Sequence, residues 1–138
     1  MIGESPTRPG IFQASPLVVG VEVNGAAAAY PLAALADGNP LNALVGGTPI
    51  VLVVGPERNS VRSFSRRIDG QVLEFYRRAE DGALIDSAGG VWSFAGRATA
   101  GPLAGRSLEP LQNRKEYWFD WQRYHPSSTL RWRGLSPL

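Results

Sequence analysis

The sequence predicts a mainly β protein: a β-rich α+β chain folded as a compact antiparallel sheet or small barrel, with one C-terminal helix. Three observations carry this expectation. The 138 residues include 16 glycines and 11 prolines, well above the average share of roughly 12%, which favours short strands and turns over a helical bundle. Asn24-Gly25, Asp69-Gly70, Asp81-Gly82 and Gly89-Gly90 punctuate the chain, and Asn-Gly and Asp-Gly favour the positive φ angles of two-residue hairpin turns. One long segment, near the C-terminus, has the start, stripe and stop of a helix.

Taken in order, Met1 to Pro16 contains no apolar stretch and is expected to be a flexible arm without a signal-peptide pattern. Residues 17–138 then make one β-rich domain. Leu17–Val23 and Ala27–Tyr30 read as strands joined at Asn24-Gly25, and Pro31–Ala36 suits a short helical turn. Pro49–Val54 is continuously apolar, so this strand is expected to be buried on both faces. Val61–Ile68 and Val72–Tyr76 flank Asp69-Gly70. A two-residue loop there sets Phe64 opposite Phe75, an aromatic pair worth about 0.2–1 kcal/mol, with Ile68 and Leu73 on the same face. Arg62, Arg66 and Arg77 fall on one side, so their heads must reach the sheet edge or find acidic partners. The helix is expected to begin at Asn113, with Glu116 closing a capping box, and to end at Pro126; Tyr117, Trp121 and Tyr124 form its stripe.

The totals exclude several kinds of chemistry. There is no cysteine, which removes thiol redox, thiolate metal binding and cysteine nucleophiles and leaves the redox compartment open. Fourteen basic residues, 13 of them arginine, stand against 12 acids. A charge so near zero creates no strong field and no general attraction to nucleic acid or membrane. No apolar run approaches the ~20 residues of a membrane span.

Seven segments recur together in a recognisable order. They are Val19–Gly25, Ala29-Tyr30-Pro31-Leu32, Val45–Pro49, Arg67–Gly70, Val91-Trp92-Ser93, Gly101–Gly105 and Trp121–Leu130 with its His125-Pro126. At these spacings the chain resembles the prokaryotic family catalogued as domain of unknown function 3179, over about four-fifths of its length. The resemblance carries no activity with it, though it implies an extracytoplasmic setting, since family members are often exported. Typical members hold a His, a Glu, two cysteines and a Gln. Here Gly38 stands for the His, Asn39 for the Glu, Ala43 for an Asp, Gly55 and Arg58 for the two cysteines, and Phe94 for the Gln. Asn42, Ser60, Trp92 and Ser93 remain. The resemblance thus implies a divergent member whose scaffold motifs persist while its chemical residues are gone.

The remaining candidates favour binding over catalysis. His125, the one histidine, lies past the helix with no partnering motif and reads as a helix-end residue. Asp69 and Asp81 suit turn chemistry, and Asp37, Glu57, Glu74, Glu80 and Asp86 read as solvated surface. No spaced acidic cluster suggests a metal, and no cofactor motif is present. Gly46-Gly47-Thr48 and Gly89-Gly90 lack the following Lys of a nucleotide loop and read as turns. Arg62, Arg66, Arg67, Arg77 and Arg78 interleave with Phe64, Phe75 and Tyr76, a weak polyanion signal diluted by Glu74, Glu80 and Asp81; nucleic acid is disfavoured. Tyr117, Trp118, Phe119, Trp121, Tyr124 and Trp132 crowd into sixteen residues, more aromatic surface than one helix can bury. The leading expectation is a non-catalytic binding or assembly module, with Trp118, Phe119 and Trp132 facing a protein partner or a second copy. The alternative is a small-molecule-binding protein or enzyme whose pocket, formed by Asn42, Arg58, Ser60 and Trp92, takes an anion on Arg58.

Overall fold

A computed structural model describes residues 16–37, 39–57, 60–126 and 128–130; the N-terminal arm expected for residues 1–16 lies outside them but for Pro16. The chain runs β1 (Leu17–Val23), β2 (Ala26–Pro31), α1 (Leu32–Asp37), β3 (Leu41–Val45), β4 (Thr48–Val54), β5 (Val61–Ser65), β6 (Arg67–Ile68) and β7 (Gln71–Val72). It continues through β8 (Phe75–Arg77), β9 (Leu84–Asp86), β10 (Val91–Trp92), β11 (Ala98–Ala100), β12 (Pro110–Leu111), β13 (Asn113–Tyr117), α2 (Trp118–Tyr124) and β14 (Thr129–Leu130). The fold is mainly β, and its pairings are antiparallel except that of β14 with β2.

The strands form three four-stranded sheets, in the orders β13-β1-β2-β14, β12-β5-β4-β3 and β11-β10-β9-β8, with β6-β7 as a separate hairpin. The second sheet lies between the other two. Its Val51, Val53 and Phe64 pack with Phe75, Leu84, Trp92 and Ala98 of the third sheet. Its Ile50, Leu52 and Val54 pack with Val19, Val21, Ala28 and Tyr30 of the first. This is why β4 is apolar at every position: alternate side chains point into two different cores, each buried aliphatic contributing about 1.5–3 kcal/mol.

The outer face of the first sheet is closed by α2, whose Trp121 lies on Val18 and Ala29. A side chain at Gly20 would overlap the Trp121 ring, which explains the glycine inside a valine-rich strand. The turns Asn24-Gly25 and Asp69-Gly70 have positive φ at both residues, 49° and 82°, then 50° and 77°, as a type I′ hairpin turn requires.

Two expectations are corrected. The hairpin at Asp69-Gly70 zips only through Ile68–Gln71 and Arg67–Val72, with a last bond from Leu73 N–H to the Arg66 carbonyl. The strands then part, because Arg66 N–H turns to the Pro49 carbonyl. Phe64 therefore lies opposite Val51 and Pro110 and Phe75 opposite Asp86. They meet in one core without being a cross-strand pair. The C-terminal helix starts at Trp118, not Asn113, since residues Asn113–Tyr117 cover the edge of β1 as β13. Asn113 makes no cap; its Nδ2 donates to Val61 O and Ser63 Oγ. Of the expected stripe, Trp121 is buried while Tyr117 and Tyr124 are exposed.

Candidate functional site

β3 and β8 are each the last strand of a sheet, and a cleft of about 990 Å³ opens between them, lined by Asn39, Asn42, Leu44, Arg66, Tyr76 and Arg77 among others. Asn42 spans the two sheets. Its Nδ2 donates to the Phe75 carbonyl at 2.9 Å and its Oδ1 accepts from Phe75 N–H at 3.0 Å, so the carboxamide stands in for a missing β partner. Asn39 does the same for Val54, accepting from its N–H at 2.9 Å and donating to its carbonyl at 3.1 Å.

Arg66 is buried behind this wall, with 5% of its surface exposed. Its guanidinium donates to the carbonyls of Ile50, Leu73 and Ala43 and to Glu74 Oε2. The expectation that it finds a partner is met largely by main-chain oxygens, which five fixed N–H donors can serve at once.

Arg77 is different. It donates to the Gly82 carbonyl at 3.2 Å and to the Val54 carbonyl at 3.4 Å, both at the long end of the range. Among the described residues no carboxylate forms an ion pair with it. Burial pushes its pKa below the usual value, although a guanidinium remains charged at neutral pH. Arg77 and Asn39 also line a second groove, with Gly55 and Phe94. Arg77 is an exposed residue, so a cation with no counter-charge among the described residues sits where two grooves join. Such a group can bind an anionic oxygen with charge-assisted hydrogen bonds.

The expected site residues divide. Asn42 lines the cleft. Trp92 belongs to the core, its Nε1–H donated to Asp86 Oδ2 and its ring edge-on to Phe75 at 5.7 Å. Ser60 is half-buried before β5, its carbonyl accepting from Gly55 N–H at 2.8 Å. Arg58 and Gly38 lie outside the described residues, as does Trp132. Sequence reasoning did not place Arg77, Asn39 or Arg66 in a site; the signal was the unexplained arginine side of the Asp69-Gly70 hairpin. Of the aromatics interleaved with its arginines, Phe64 and Phe75 are buried while Tyr76 is exposed, and Arg78 is held by Asp81.

Asp86, expected on the surface, is 4% exposed and accepts from the N–H groups of Ala88 and Gly90 and from Trp92. A buried carboxylate is sustained by such donors. Asp81 lies in the open, where Arg78 and the Ala83 N–H hold its carboxyl down to about 2. His125 donates its N–H to the Trp121 carbonyl at 3.0 Å, stacks on that indole at 4.0 Å and brings Nδ1 within 3.7 Å of Glu22. It closes the end of α2. Among the described residues no three His, Asp or Glu side chains gather as metal ligands, and no helix is long and apolar enough to cross a membrane. On α2, Trp118 is half-buried and Phe119 is 66% exposed.

A family model described as "Protein of unknown function (DUF3179)" matches residues 3–128. No curated protein and no solved structure matches the chain.

Proposed function

The chain belongs to the DUF3179 family of proteins of unknown function, and from that premise we propose that it is a non-catalytic binding module whose cleft holds an anionic group on Arg77. The observation that carries this reading is the Arg77 guanidinium itself: among the described residues it is held by two long bonds to carbonyls and by no carboxylate, and it lines both grooves. Three of the cleft's other polar side chains are engaged in the fold. Both amide atoms of Asn42 and Asn39 serve main-chain partners, and Glu74 accepts from Arg66 at 3.0 Å. These three groups shape the cleft. By the resemblance set out above, Asn39, Gly55 and Phe94 stand where other members place Glu, Cys and Gln, and all three border one groove. That placement supports a retained cavity whose reactive residues have been replaced. The anion role expected of Arg58 passes in this reading to Arg77.

Titration with acetate and with inorganic phosphate, followed by the Arg77 side-chain NMR signals, tests the proposal. Saturable shifts that vanish in Arg77→Gln are expected. Unchanged spectra up to the solubility limit would rule it out.

An assembly role is the second reading, favoured by the exposure of Tyr117, Phe119 and Tyr124 on and beside α2, more aromatic surface than a solvated helix needs. It predicts concentration-dependent self-association, or capture of a partner, that weakens in Phe119→Ser. Sedimentation as a strict monomer together with unimpaired partner binding in that variant would count against it.

A further inference from the structure

The cleft has a direction, and it points to what fits in it. The turn at Gly46-Gly47 makes Val45 and Thr48 the closing pair of the β3–β4 hairpin, so Val45, Ala43 and Leu41 direct their main-chain groups toward β4. The Pro49 carbonyl faces β5, where it accepts from Arg66 N–H at 2.9 Å, which agrees with this alternation. Asn42 and Leu44 therefore turn their N–H and C=O groups outward along the edge of β3 that no described strand pairs. That edge is one wall of the cleft. Leu44, 58% exposed, and Tyr76, 48% exposed, supply apolar surface beside it.

We propose that the cleft is a strand-addition groove: an extended peptide pairs antiparallel with the outward edge of β3 and rests its terminal carboxylate on Arg77. This deepens the reading of Arg77 as an anion site and depends on it. The orientation follows from topology. Val54, whose carbonyl accepts from Arg77, and Asn39, whose side chain bonds Val54, lie beyond the Leu41 end of β3. A peptide running antiparallel to β3 enters beside Val45 and ends beside Leu41, which brings its C-terminus to the guanidinium. Five residues of β3 correspond to roughly 17 Å of strand, enough for a peptide of about five residues. Charge narrows the ligand further. Asp37 and Glu74 also line the cleft, and Glu74 is already paired with Arg66. A single terminal carboxylate matches the one guanidinium proposed to receive it, whereas a peptide rich in acids would set several negative charges beside these two carboxylates. Main-chain pairing supplies the affinity in such recognition, and the carboxylate sets the register.

The test uses the full chain and an acetylated Thr-Val-Thr-Val-Thr-Val hexapeptide, with either a free carboxylate or a C-terminal amide. The acid is expected to bind about tenfold tighter than the amide, from one charge-assisted contact, and Arg77→Gln to abolish the difference. Peptide binding should shift and slow the exchange of the Asn42 and Leu44 amides in the unmodified chain. Leu44→Pro removes an N–H that faces away from β4, which an edge strand tolerates; it should block the peptide and leave acetate binding intact. If acetate binds but the hexapeptide binds no better, or if the Asn42 and Leu44 amides do not respond, strand addition is wrong while the anion site stands. If neither acetate nor peptide binds, both readings fall. The amide measurement needs no variant, so a misfolded Leu44→Pro does not decide the question.

Discussion

Replacing Arg66 with alanine is expected to cost about 3 kcal/mol of stability, and the reason lies in what the guanidinium holds. Its side chain is 6% exposed and donates to Ile50 O at 2.7 Å and to Leu73 O, Ala43 O and Glu74 Oε2 at 3.0 Å each. One side chain thus joins β3, β4 and the segment leading into β8. A hydrogen bond involving a charged group contributes about 1.5–3 kcal/mol, and leaving a buried acceptor unserved costs about 1–3 kcal/mol. The four bonds are not additive, since the Ala43 and Ile50 carbonyls keep their ladder partners and water can enter from the open cleft. The Leu73 carbonyl and the vacated volume dominate, which gives about 3 kcal/mol and a loss of roughly 10 °C in Tm. Glu74 is 53% exposed, so Glu74→Gln should cost less than about 1 kcal/mol. Arg66→Lys should recover only a minor part, because a single ammonium cannot serve carbonyls arranged around a fork. Urea unfolding followed by tryptophan fluorescence reads all three variants, with an unchanged m-value as the control. If Glu74→Gln proves as costly as Arg66→Ala, the ion pair carries the stability and the carbonyl argument is wrong. A cost below about 1 kcal/mol for Arg66→Ala refutes it as well.

Four further outcomes are expected. Gly20→Ala forces a methyl into the Trp121 ring and should cost about 1–3 kcal/mol; a Trp121→Leu background should reduce that cost, and strict additivity in a double-mutant cycle would contradict the contact. Asn42→Ala leaves the N–H and C=O of Phe75 without their partner and should cost about 1–3 kcal/mol, with faster hydrogen exchange at Phe75; unchanged exchange there would refute the stapling role. Asp86→Ala removes three donors' acceptor in the β9–β10 turn and should destabilise by about 2–3 kcal/mol while broadening the Trp92 indole N–H signal; a sharp, unshifted signal would show that the bond is absent in solution. The Asp81 carboxyl should titrate at about 2, below its ordinary 3.8. A depressed carboxyl stabilises the fold above its unfolded value and loses that contribution as pH falls from about 4 to about 2. Arg78→Gln should return the midpoint toward the ordinary value, and an unmoved midpoint would leave the shift without its principal cause.

The sequence was most legible where one local rule governs one residue. Asn24-Gly25 and Asp69-Gly70 are at the turns because those residues tolerate positive φ, and the unbroken apolar run of β4 marks a strand between two cores. It misled where a local signal competed with a distant one. Asn113 and Glu116 have the spacing of a capping box, yet the segment between them pairs with β1, because an uncovered edge of a buried strand costs more than a cap returns. The Asp69-Gly70 hairpin has ideal register for Phe64 and Phe75, yet its strands separate after Arg66 to join different sheets. The identities of those partners lie tens of residues away and leave no mark in the hairpin itself.

The same distinction governs the candidate site. Asn42 was legible as a retained polar residue, but its function is architectural: it supplies two hydrogen bonds to Phe75, 33 residues distant. Trp92, legible in the same way, is a core residue fixed by a buried aspartate. Arg77 carried no motif, and its position is set by bonds to the nearby Gly82 carbonyl and to the Val54 carbonyl 23 residues away. A retained motif reports that a position matters to the family's scaffold, whereas a binding group is recognised by an unmet physical requirement. Here the unmet requirement is a counter-charge. Arg66, Arg78, Arg106 and Arg114 each have a carboxylate in the fold, and Arg62 lies 4.7 Å from the Phe94 ring centroid. Arg77 has neither. Among the described residues Arg67, Arg97 and Arg123 also show no ion pair, and what separates Arg77 from them is that it lines both grooves. That placement is the basis on which we propose an anion from outside the chain as its partner.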